Sequence, residues 1–110
     1  MYYENKEEFQ MELVEKIKNN LKSVYDPELN INVVDLGLIY DISFPKERAV
    51  RITMTLTTPG CPLHDSIASG VKYCVQRMEE IDEVDVQIVW EPAWSPERMT
   101  EDGLRAIGRL

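Results

Sequence analysis

Apolar residues recur every three or four positions between Asn5 and Tyr25. Phe9, Leu13, Val14, Ile17, Leu21 and Val24 fall on one stripe, which predicts an amphipathic helix. Asn5 suits its N-cap, and Glu7 and Glu8 suit its first turn. Asp26-Pro27 predicts the end, because the residue before a proline avoids helical angles. From Glu28 to Gly37 the period is lost, which reads as loop with a short extended piece. A period of two follows: Leu38, Tyr40, Ile42 and Phe44 on one face, Ile39, Asp41 and Ser43 on the other. Pro45-Lys46-Glu47-Arg48 reads as a turn. Val50, Ile52, Met54 and Leu56 then alternate with Arg51, Thr53, Thr55 and Thr57, predicting a β-hairpin with one core face. The period becomes helical again from Cys61 to about Glu80, with Ile67, Val71, Cys74, Val75 and Met78 on one face. Val84, Val86, Ile88 and Trp90 give a third strand. A proline-rich loop, PAWSPER, carries Trp94, and Thr100 reads as the N-cap of a short last helix bearing Leu104 and Ile107.

The element order is α-β-β-α-β-α. It predicts a small α+β domain in which a three-stranded mixed sheet is covered by helices on one side. The second and third strands should run parallel through a right-handed crossover. The middle strand is not fixed by the pattern. Length agrees with one domain over residues 1–110, because 110 residues can bury a core without disulfide or metal.

Charge narrows the partners. The formal net charge is -8, so phosphate backbones and anionic membranes repel the chain, and neither nucleic acid nor a membrane is an expected partner. No apolar run approaches the ~18 residues of a membrane span. The start, MYYENKEEF, lacks a secretory pattern, which favours the cytoplasm. Cys61 and Cys74, the two cysteines, would sit about 20 Å apart on one helix, too far for a disulfide.

Cys61 stands in TTPGCP, at the junction of strand and helix. Pro59-Gly60 turns the chain, Cys61 takes the N-cap position and Pro62 the first helical position, where a missing N–H costs nothing. Unsatisfied N–H groups and the helix dipole there favour thiolate over thiol, the form that attacks electrophiles and binds soft metals. Cys74, on the apolar stripe, reads as packing. His64 follows Cys61 by one turn and is the only histidine; it suits a base, a second ligand or a plain surface residue. One cysteine and one histidine do not complete a zinc or Fe–S site, so a metal or cluster here would need a second subunit, carboxylates or an outside ligand. Asp26, Glu28 and Asp35 are the carboxylates that could gather near it, or they serve turns and caps. Gly37 suits a positive φ. Trp94 either lines a site or covers the core edge, the latter favoured.

DPE at 26–28, VDLGLIYDI at 34–42, MTLTTPGCP at 54–62 and EPAWSPERMT at 91–100 together resemble the SufT/PaaD-like family of iron–sulfur cluster assembly domains, over nearly the whole chain. The resemblance implies a compact α+β domain that helps mature Fe–S proteins, with the family's reactive cysteine at Cys61. Its supporting positions fall on Asp26, Glu28, Asp35, Thr57 and Thr58, within a site that also takes in Gly60, His64 and Trp94. One departure is Pro92-Ala93, where the family often has a double proline. The expected function is a non-enzymatic factor whose Cys61 thiolate transiently holds iron, sulfur or a cluster or anchors a partner thiol; pairing two subunits as a homodimer would bring two such cysteines together. Fe–S scaffold or carrier proteins and apo client proteins are its expected partners. Two alternatives stand beside it: a PaaD-like adaptor of an aromatic-ring oxygenase system docking through Trp94, and a thiol enzyme with Cys61 as nucleophile and His64 as base.

Overall fold

The computed structural model describes residues 6–27, 29–57 and 64–108. Helix α1 (Lys6–Leu21) leads into a two-residue antiparallel ribbon, β1 (Tyr25–Asp26) with β2 (Ile31–Asn32). Strands β3 (Ile39–Ser43) and β4 (Ala49–Met54), helix α2 (His64–Gln76), strand β5 (Glu83–Ile88), a single 3-10 turn (Pro96–Arg98) and helix α3 (Glu101–Ala106) complete the order. The larger sheet runs β3-β4-β5, with β4 central, antiparallel to β3 and parallel to β5. This is the expected α+β architecture, and the sheet supplies the order that hydrophobic pattern alone left open.

The core lies between the apolar side of the sheet and the helices. Leu13, Ile17 and Leu21, at intervals of four, turn the α1 stripe inward into the same core cluster as Val50, Ile52 and Met54 of β4. Ile67, Val71 and Val75 do the same for α2. Each such side chain contributes about 1.5–3 kcal/mol through burial. The opposite side of the sheet exposes Asp41, Arg51, Asp85 and Gln87.

Both long helices end before the positions that the sequence suggests. α1 stops at Leu21, not at Asp26-Pro27. The Ser23 hydroxyl donates to the Asn20 carbonyl at 2.8 Å, competing with the helical ladder. Val24 and Tyr25, β-branched and aromatic, then pass into the ribbon. α2 stops at Gln76, and Met78 and Ile81 continue as tight turns donating to Val75 and Met78. Alternation in β3 is also broken. Ile39 pairs with Met54 but Asp41 pairs with Thr53, so Tyr40 is the extra residue of a β-bulge. The bulge brings Ile39 onto the core side with Ile42, and frees Tyr40 to donate its hydroxyl to the Pro92 carbonyl at 2.8 Å. Strand β5 ends at Ile88, so Trp90 lies beyond it and is exposed.

Candidate functional site at one end of the sheet

Three chain segments meet where β4 ends. The Thr55 amide, just past β4, donates to the Leu38 carbonyl at 2.9 Å, and the Val89 amide, just past β5, donates to the Met54 carbonyl at 2.8 Å. Thr57, half-buried, opens the TTPGCP motif at this edge. Immediately before Leu38 runs the loop Asn32–Gly37, and after Val89 runs the segment that carries Trp94.

The loop is organised by Asn32. Its side-chain oxygen accepts from the amides of Val34 (3.1 Å) and Asp35 (2.9 Å), an Asx turn, while its side-chain nitrogen donates to Asp35 Oδ2 at 2.7 Å. The other carboxylate oxygen of Asp35 accepts from Thr100 Oγ1 at 2.9 Å, and the Asp35 carbonyl accepts from the Thr100 amide at 3.0 Å. Thr100 also N-caps α3, its hydroxyl oxygen accepting from the Gly103 amide at 3.1 Å. Asp35 therefore ties the loop to the start of the last helix through Oδ1 and its carbonyl, while Oδ2 stays within the loop.

The rest of the C-terminal segment is seated on the same loop. Trp94, half-buried against the core, donates its indole N–H to the Leu36 carbonyl at 2.6 Å. The Arg98 guanidinium lies 4.7 Å from the Tyr40 ring centre. Gly37 has φ +76, and a Cβ there would stand 2.1 Å from the Arg98 carbonyl oxygen. Gly103 is as confined, with the Asp35 carbonyl oxygen 2.5 Å from where its Cβ would be. Glycine at these two positions lets the segments touch backbone to backbone.

Asp26 is buried in the ribbon turn. Its carboxylate accepts from the Leu29 amide at 3.3 Å and its carbonyl from the Asn30 amide at 2.7 Å. Glu28, Thr58, Gly60 and Cys61, and the side chain of His64, lie outside the described residues. Among the described residues, no three His, Cys, Asp or Glu side chains are grouped to hold a metal. Cys74 is half-buried, its thiol donating to the Asn20 carbonyl at 3.1 Å.

Asn32, Thr55 and Arg98 were not singled out from sequence. The Asn-x-x-Asp spacing at 32–35 is the signal that marks the turn. Thr55 carried none, because it alternates with Thr53 and Thr57 as an ordinary outward residue. In the fold it is 1% exposed, and its hydroxyl has no hydrogen-bond partner among the described residues.

Comparison with known proteins agrees with the motifs. Residues 14–88 match the family model described as iron–sulfur cluster assembly protein. The chain is 40% identical over 96 residues to the Fe-S protein maturation auxiliary factor YitW of Bacillus subtilis, covering 87% of this chain and 94% of the relative. It is 39% identical over 85 residues to the Fe-S protein maturation auxiliary factor SufT of Staphylococcus aureus, covering 77% and 97%. The crystal structure of a domain of unknown function, DUF59, from Bacillus anthracis superposes with a TM-score of 0.81 at 41% identity, covering 86% of this chain and 90% of that one.

Proposed function

Because this chain belongs to the iron–sulfur cluster assembly protein family, of the SufT/PaaD type, we propose that it is a maturation factor handling iron, sulfide or an assembled cluster as cargo through the Cys61 thiolate. The observation that carries this reading is the meeting of the family motifs at one end of the sheet. VDLG and PAWSPERMT are locked together through Asp35, Thr100 and Trp94, at the end of the sheet from which β4 leads through Thr57 into TTPGCP. Further support comes from α2, which begins at His64, three residues after Cys61. A helix start so close offers unpaired N–H groups and a dipole that favour thiolate.

In this reading Cys61 supplies one soft ligand per chain, and pairing of two chains supplies a second. The remaining coordination belongs to the cargo's own ligands or to the protein that receives it. No bond to substrate is made or broken catalytically, so the protein acts as a carrier in the cytoplasm, between Fe–S scaffold proteins and apo clients. Asp35 and Trp94 are positioning residues that hold the segment around the motif. The test is iron and sulfide content after anaerobic purification, for wild type and Cys61→Ser. Iron and sulfide in comparable amounts with wild type and loss of both in Cys61→Ser supports the proposal; equal content in the two refutes it.

A further inference from the structure

A second surface lies at the other end of β3 from the Asp35 loop. Helix α1 does not close onto the hairpin there. Between them runs an open groove of about 1280 Å³, with Phe9, Leu13 and Val14 on one wall and Ile42 and Phe44 on the other. Among the described residues β3 pairs with β4 alone in its sheet, so none of them pairs with its outer edge, which runs toward this apolar floor. An edge strand flanked by a helix-walled apolar groove is the geometry of strand addition, in which backbone bonds hold a peptide and alternate side chains fill the groove.

We propose that this groove takes an extended segment of a partner protein, apolar at alternate positions and basic at its flanks, as an added strand on β3. The helical wall from Phe9 to Asn19 is about 15 Å long, which accommodates four or five residues of strand. Charge selects the flanks. Glu12 and Glu15 line the groove and are exposed, whereas the cation beside them, Lys16, is already paired with Glu80. The rim is thus negative on a chain of net charge -8. A second copy seated here would bring an identical acidic rim against it, so the charge pattern disfavours self-pairing through this groove and suits a basic segment. The proposal stands apart from the Cys61 reading, because the groove needs neither metal nor thiol.

The test is titration of the isotope-labelled full chain with the synthetic peptide Lys-Val-Thr-Val-Thr-Val-Lys, followed by amide NMR. Saturable shifts at Leu13, Val14, Ile42 and Ser43 are expected, weakening with added salt. The exposed double variant Glu12→Lys/Glu15→Lys should bind this peptide at least fivefold more weakly and should gain affinity for the version flanked by glutamates. Absence of saturable shifts, shifts confined to other surfaces, or equal affinity in the charge-reversed variant would each overturn the proposal. So would a dimer joined through β3 in sedimentation and NMR, or contacts showing that residues 1–5 of the same chain fill the groove.

Discussion

Gly37→Ala is the perturbation that most directly probes how the C-terminal segment is held. At φ +76 an alanine carries about 1–2 kcal/mol of backbone strain. Its Cβ would also stand 2.1 Å from the Arg98 carbonyl oxygen and 2.6 Å from the Arg98 carbonyl carbon, both backbone atoms. Relief requires the Pro96–Arg98 turn to move by about 1 Å or more, pulling on the bonds from Thr100 to Asp35 and from Trp94 to Leu36. Overpacking of this kind adds about 1–3 kcal/mol, so the total loss should be about 2–5 kcal/mol. Gly108 provides the control, since it has φ +77 but nothing within 4 Å of its Cβ position. Gly108→Ala should cost only the strain, about 1–2 kcal/mol or less. Urea unfolding followed by Trp94 fluorescence in a Trp90→Phe background measures both, and exchange of the Thr100 amide reports release of the segment. Equal destabilisation by the two substitutions, with Thr100 still protected, would refute the close-approach argument.

Three further outcomes follow from particular contacts. Thr55→Val removes a buried hydroxyl that has no partner among the described residues and keeps its shape, so it should leave stability unchanged or raise it by up to about 1 kcal/mol in urea unfolding; a loss above that would mean the hydroxyl is bonded. Arg48 beside Asp82 holds that carboxyl below its ordinary value, and Lys16 does the same for Glu80, in each case first by a side-chain hydrogen bond. A depressed carboxyl contributes stability that is present above its unfolded pKa and is lost as pH falls through the folded one, so the acid limb of the stability profile should flatten in Arg48→Met/Lys16→Met; an unchanged limb contradicts it. Cys74 donates its thiol to a carbonyl and is half-buried, so iodoacetamide at neutral pH should label Cys61 well before Cys74, as mass spectrometry of the digest would show; equal labelling rates contradict an activated Cys61.

Much of the fold was legible because it rests on period. The stripes of α1 and α2 and the alternation in β4 put the right side chains inward, and Thr100 caps the last helix as its residue type suggests. What sequence missed depends on contacts between distant segments. Nothing local in Ser23 foretells that it helps end α1, and nothing in Tyr40 foretells a bulge whose hydroxyl partner is Pro92, 52 positions away. The candidate site was legible in part. Asp35 was identified as either a turn residue or a site residue; the fold shows its carboxylate engaged by Asn32 and Thr100. That pairing spans 65 positions and has no periodic signature, whereas the Asx turn that prepares it does.

The central claim is that Cys61 carries the cargo. It is tested most directly by the rate at which an iron–sulfur cluster reaches an apo acceptor, followed by visible absorbance, when the chain has first been reconstituted anaerobically with iron and sulfide. The account predicts rapid, stoichiometric transfer from the wild-type chain, and none above background from Cys61→Ser, whose fold and Thr100 protection remain intact. Transfer by Cys61→Ser at the wild-type rate would contradict it.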